Sequence, residues 1–151
     1  MSLRIGRICA ADGPLVEELF CRIRNDPTAR RFHPHPFTDA EALAKALYSG
    51  PDLYALLVYE QQPIGYGLLR GWEEGFTVPS LGIYISNSHR GSGAARLLME
   101  YLHLAAKLMG CPAVRLKVYP DNPAAVALYR GLGYRFADGL EEGQIVGRLE
   151  L

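Results

Sequence analysis

No run of this sequence approaches the roughly 20 consecutive apolar residues that a bilayer-spanning helix needs. The first residues also lack the charged-then-apolar pattern of a secretory leader. An excess of either charge is missing too: 16 lysines and arginines are matched by 16 aspartates and glutamates. A broad surface for nucleic acid demands a basic excess, so that partner class is disfavoured and only a local basic patch is left open. Cysteine is scarce. Cys9, Cys21 and Cys111 are odd in number, widely separated and without a C-x-x-C spacing. They build no disulfide framework and read as free thiols in a reducing compartment. These absences predict a cytoplasmic protein with neither a membrane nor a nucleic acid as partner.

What remains is an ordinary globular composition, with 49% apolar and 21% charged residues in a chain of 151. That length suits one domain, taken as 1–151, with a core of its own. No internal repeat or linker divides it. Residues 3–9 read as a strand, and Leu15, Leu19 and Ile23 recur at helical spacing after Asp12, Gly13 and Pro14. The prolines of PTARRFHPHPFTD preclude a helix, so this segment is a loop. Thr38 or Asp39 caps a second short helix, which Gly50 ends.

LYALLVYE (53–60) and IGYGLLRGW (64–72) form a hairpin turned by QQP, and LGIYIS (81–86) is a third strand. The helix from about 92 to 109 carries Ala94, Leu98, Tyr101, Ala105 and Leu108 as its apolar stripe. A strand at 113–119 follows. Asn122 and Pro123 then open a helix with Ala125, Leu128, Tyr129 and Leu132 on its buried side. YRF and QIVGRLEL supply the last strands. The order β-α-α-β-β-β-α-β-α-β-β predicts a mixed α/β or α+β sheet covered by helices.

The richest segment is NSHRGSGAARLLMEYLHLAAKLMG, residues 87–110. It contains neither GxxxxGK[ST] nor a full GxGxxG. The physics of those motifs is nevertheless there. A helix start offers unpaired N–H groups and partial positive charge, and Gly91, Ser92, Gly93, Ala94 and Ala95 leave them accessible to an anion. Arg90 adds a charge. The competing reading is a plain glycine turn feeding a closely packed helix.

Two further patterns shift the balance toward the anion site. RGSGAA (90–95) fits [Q/R]-x-x-G-x-[G/A] between a strand and an amphipathic helix. One strand later, NPAAVALYRGLGYRF fits N-x-x-A-x-x-[L/F]-Y-x-x-x-G-[F/Y]. Together they resemble the GNAT superfamily of acyl-CoA-dependent N-acetyltransferases. The motifs lie in the C-terminal half, while the element order matches along nearly the whole chain.

The resemblance implies a mostly antiparallel central sheet of about seven strands, with helices on both faces and two strands splayed at a cofactor cleft. It implies acetyl-CoA as cosubstrate, with no metal, and an enzyme that transfers acetyl to a primary amine. Amides from Arg90 to Ala95 would hold the pyrophosphate. The strand edge at Ile83, Tyr84 and Ile85 would pair with the pantetheine arm as an added strand. An amide near Ile83 or Ile85 would polarise the thioester carbonyl. Asn122 would cap its helix on the cofactor side. Tyr129 falls on the general-acid position, and its phenol, with an ordinary pKa of about 10, would be protonated at neutral pH. Its alternative is a plain core tyrosine.

A base is harder to assign, because SLGIYI lacks the glutamate that some members carry on this strand. Glu73 and Glu74 on the preceding loop are the candidates, against the alternative of a solvated turn. His33, His35 and Phe37 lie where the family builds its acceptor pocket, so they are candidate substrate residues. The alternative is a proline-stiffened loop with Phe32 and Phe37 packed inward. His-x-His alone supplies too few ligands for a metal. Loops 27–38 and 73–80 suit a small polar amine, an amino sugar or amino acid derivative. A protein lysine or N-terminus is the runner-up, and a non-catalytic acyl-CoA-binding module the reading from another class. A homodimer is compatible with the family.

Overall fold

The computed structural model describes residues 1–151. One seven-stranded sheet runs through the molecule: β1 (Leu3–Arg7), β2 (Leu53–Tyr59), β3 (Gln62–Arg70), β4 (Ser80–Ile85), β5 (Ala113–Val118), β6 (Arg135–Phe136) and β7 (Ile145–Glu150), in the order β1-β2-β3-β4-β5-β7-β6. Every neighbouring pair is antiparallel except β4 and β5. Helices α1 (Gly13–Arg24) and α2 (Asp39–Ala46) cover one face, and α3 (Ala94–Leu108) and α4 (Pro123–Gly131) the other.

Strand alternation divides the core in two. Leu56, Val58, Tyr66, Leu68 and Tyr84 point toward α1 and α2, where they meet Val16, Leu19, Phe20 and Ala42. Leu57, Leu69, Leu81, Val114 and Leu116 point the other way, onto Leu98, Met99, Leu102 and Ala106 of α3. Each set is a period-2 row on a pleated strand meeting one stripe of a helix.

Four local expectations are corrected. Helix α2 stops at Ala46 with Leu47 as its C-cap, well before Gly50; Thr38 is its N-cap, accepting from Glu41 N. The α3 stripe is Leu98, Met99, Leu102 and Ala106, and Leu108 is exposed, so the helix is rotated from the expected stripe. Both sets have helical spacing, and only the sheet selects which is covered. Helix α4 has no fully buried residue, because its inner side borders a cleft. Pro63 lies within β3; the turn is Glu60–Gln61, both at positive φ, which matches strand twist in a two-residue hairpin. A register shift at Leu57/Val58 accommodates the proline.

Candidate active site

The parallel neighbours β4 and β5 have a single aligned pair, Ser80↔Arg115, at the start of β4. Beyond it they separate. Arg115 N–H donates to Pro79 C=O, and Ser86 N–H donates to Ile64 C=O on the β3 side. Alternation along the strand therefore turns the backbone groups of Ile83 and Ile85 toward the gap. The gap is a cavity of about 580 Å³ that brings together Ile83, Tyr84, Ile85, Ala95, Asn122 and Tyr129. Such a volume suits a small ligand.

At its α3 end, Gly91 and Gly93 adopt φ of 75° and 95°. This left-handed backbone favours glycine, and a Cβ at either residue would project into open space. The amide of Ala94 is held by Ser92 Oγ at 3.3 Å. Those of Gly91, Ser92, Gly93, Ala95 and Arg96 have no acceptor in the protein. They form a cradle of donors reinforced by the start of a 15-residue helix.

Arg90 lines the same cavity, but its guanidinium is already engaged. Nε donates to Ile85 C=O at 3.1 Å, Nη1 to Thr28 Oγ1 at 2.6 Å and Nη2 to Asp26 Oδ2 at 3.1 Å. Its amide faces Asn87 C=O at 3.4 Å. Asp26 also accepts from Tyr84 Oη at 2.8 Å. Burial opposes ionisation of Asp26, yet the hydrogen bonds from Thr28 and Tyr84 and the charge of Arg90 outweigh it and lower its pKa. Arg90 thus ties the α1–α2 loop to the end of β4.

Tyr129 projects from α4 into the cavity. Its ring lies 5.9 Å from that of Tyr134. Tyr134 Oη is committed to His103 Nε2 at 2.7 Å, whereas the Tyr129 hydroxyl has no protein partner. No fully buried side-chain polar atom in the chain is unpaired, so that hydroxyl retains access to the cleft. Burial of the ring pushes its pKa up to about 12. Asn122 caps α4, its Oδ1 accepting from Ala125 N at 3.3 Å.

The other candidates stand apart from this cleft. Glu73 accepts from Tyr48 Oη at 3.0 Å, and Glu74 borders a separate cavity beside Arg70 and Arg115. His33 is exposed. His35 lies against the aromatic core, with Nδ1 2.6 Å from Pro36 O and Nε2 2.7 Å from Tyr66 Oη. A carbonyl only accepts, so Nδ1 carries the proton and Nε2 accepts from the phenol. Burial brings this imidazole down to about 4, so it is neutral at pH 7. Phe37 is buried edge-on against Phe20, while Phe32, stacked on Tyr84, reaches the cleft.

Sequence reasoning missed the closure of the mouth. Arg31 pairs with Asp121 and lies 4.5 Å over the Tyr119 ring, linking the α1–α2 loop to the β5–α4 loop. A separation of 90 residues hides that contact from local patterns. Asp26 was likewise invisible, since its partners Tyr84 and Arg90 lie 58 and 64 residues away.

Comparison with known proteins agrees with this geometry. The fold matches the GNAT domain of S. lividans PAT with a TM-score of 0.82 at 16% identity, covering 99% of this chain and 90% of that one. The PaiA N-acetyltransferase from Thermoplasma acidophilum, solved in complex with coenzyme A, matches with a TM-score of 0.77 at 14% identity over 100% of both chains. The ribosomal-protein-S18-alanine N-acetyltransferase from Escherichia coli matches at 0.72 and 19% identity, over 99% of this chain and 94% of that one. The family model described as Acetyltransferase (GNAT) family matches residues 18–134. This chain belongs to the GNAT family of acetyltransferases.

Proposed function

We propose that the protein transfers acetyl from acetyl-CoA to the primary amine of a small polar metabolite, in one ternary complex and by direct attack. The observation that carries the reading is the parting of β4 and β5 beyond Ser80↔Arg115, between the open amide cradle and the unpartnered hydroxyl of Tyr129. When bound, acetyl-CoA supplies an activated thioester. The free amides of Gly91, Ser92, Gly93, Ala95 and Arg96 hold its pyrophosphate, with the small side chains leaving room for approach. The edge of β4 at Ile83 and Ile85 aligns the pantetheine arm by strand addition. One of these two amides polarises the carbonyl, in place before charge develops and therefore without reorganisation.

Tyr129 donates its proton to the departing thiolate. Its raised pKa keeps the phenol protonated across the working range. The amine's own proton passes to water, and water returns a proton to the Tyr129 phenolate. Glu73 and Glu74 lie outside the cleft, and Asp121, the carboxylate that lines it, is bound by Arg31. The mixed apolar and polar lining, with Phe32, Tyr119 and Gln144, suits a small acceptor.

Titration calorimetry with acetyl-CoA, dephospho-CoA and acetylpantetheine tests the cradle. Saturable binding that requires the pyrophosphate is the expected result. Absence of binding at millimolar cofactor would reduce the glycine loop to a turn and remove the enzymatic reading.

A further inference from the structure

The sheet registers align an unusual row of residues. Arg70 on β3 pairs with Ser80 on β4, Ser80 with Arg115 on β5, Arg115 with Arg148 on β7, and Arg148 with Arg135 on β6. Directly paired residues share a face, so four arginines stand in one line across five strands. The face is the one that α1 and α2 cover further along, since Tyr66 and Leu68 alternate with Leu69 onto that side. Strands lie about 4.8 Å apart, which puts Arg115 beside Arg148 and Arg70 about 10 Å from Arg115.

Like charges directly opposite each other destabilise a sheet. The acids nearby do not cancel the row. Arg115 has Glu141 at 3.2 Å and Arg148 has Glu150 at 2.6 Å, both well exposed to solvent. Exposed pairs of this kind contribute little. Arg70 and Arg135 have no acidic partner and no side-chain hydrogen bond. Arg70, Arg115 and Arg148 line one cavity of about 480 Å³ with Ser80, Thr77 and a single acid, Glu74.

The position of this cavity is informative. Ser80↔Arg115 closes the V from which β4 and β5 diverge. Ile83 lies three residues on, about 10 Å away. On this face Gly82, between Ser80 and Tyr84, is covered by Phe32 and Leu68, which a Cβ would meet at 3.4 and 3.5 Å, and Phe32 also lines the cleft beyond. The amide cradle belongs to the α3 side, so the arginine row approaches the same gap from the opposite face.

We infer that Arg70, Arg115 and Arg148 form an anion subsite, and that the acceptor is a small amine carrying a carboxylate or phosphate about 10 Å or less from its nitrogen. The inference rests on the acetyl-transfer reading above and narrows its acceptor class, favouring an acidic amino acid derivative over a neutral amino sugar. The guanidiniums bind the anionic end by charge-assisted hydrogen bonds, and the amine end extends past the Ser80↔Arg115 pair into the parting of β4 and β5.

The test compares ω-amino carboxylates of graded length, aminoalkyl phosphates and equally long amino alcohols, with thiol release from acetyl-CoA as readout. The anionic amines should exceed the neutral ones at least about tenfold in kcat/KM, as expected when charge-assisted contacts fix orientation; the carboxylate and phosphate arms identify the preferred anion. Arg70→Gln, which breaks no ion pair, should raise KM for anionic amines at least about tenfold while leaving KM for acetyl-CoA and for neutral amines unchanged and Tm undiminished. Arg148→Gln is the second variant and should behave alike. Equal use of neutral amines, or preference for acidic peptides insensitive to Arg70, would overturn the subsite. If no amine reacts, the acetyl-transfer reading fails by itself, and calorimetry with glutarate decides the subsite separately. Saturable glutarate binding weakened by Arg70→Gln supports it, and binding that is absent or indifferent to Arg70 overturns it.

Discussion

Ser80 and Arg115 are the single aligned pair between β4 and β5, and the cleft starts where that pairing ends. On one side of this point, backbone groups are consumed by the sheet. On the other, the backbone groups of Ile83 and the amide of Ile85 turn toward the cleft, while Arg90 Nε takes the Ile85 carbonyl. The same pair sits in the middle of the arginine row, so one register position marks both the hinge of the V and its charged end.

Tyr129→Phe removes the hydroxyl and little else, because the hydroxyl bonds to nothing in the protein. Affinity for acetyl-CoA should stay within about twofold, while kcat falls by about 10²-fold, the range for a lost general acid. Since burial raises the phenol to about 12, wild-type turnover should show no falling limb from this group below about pH 10. Single-turnover rates and equilibrium cofactor binding check the two parts, and unchanged turnover would remove Tyr129 from the reaction.

Gly93→Val acts at the cradle. The backbone there has φ of 95°, and a β-branched residue in that region costs on the order of 1–3 kcal/mol. The added carbons point into open space, where the pyrophosphate is expected, and not into the protein. The variant should fold with a lowered Tm and lose acetyl-CoA binding at least about a hundredfold, through blocked amides. Normal binding by a folded Gly93→Val protein would disprove the cradle.

The double variant Glu73→Gln/Glu74→Gln tests the assignment of the amine proton to water. A lost general base costs about 10²–10⁴-fold. With both carboxylates outside the cleft, kcat/KM should change by less than about threefold for neutral amines, and the rate should still climb toward the amine's own pKa near 10. A hundredfold loss would restore one of the glutamates as base.

His35 makes stability depend on pH. Its pKa is depressed from 6.5 to about 4, so the unfolded chain binds the proton first as pH falls. The contribution is fully present above pH 6.5 and is lost as pH drops toward 4. Allowing for partial exposure, it amounts to about 2 kcal/mol. Denaturant unfolding at intervals from pH 7.5 to 4 should show a wild-type decline that His35→Gln lacks over this window. Parallel curves for the two proteins would contradict a neutral, Tyr66-bonded imidazole.

Local chemistry determined what could be read directly. The caps Thr38 and Asn122, the glycines at 91 and 93, the element order and the alternation of Leu81, Ile83 and Ile85 against Gly82 and Tyr84 each depend on a few neighbouring residues. Propensity and periodicity act over that range, and the motif pair at 90–95 and 122–136 pointed to the family. Tertiary structure decided everything that depends on register between distant segments. It chose Met99 and Leu102 over Leu108 as the covered side of α3, gave Arg90 to Asp26 and Thr28, and gave His35 to Tyr66. It also assembled residues 70, 115, 135 and 148 into one row. Of the strands that carry them, only β6 and β7 are neighbours in chain and sheet alike; the pairings of β5 with β4 and β7 join distant segments, and their register is set by the packing of both faces at once.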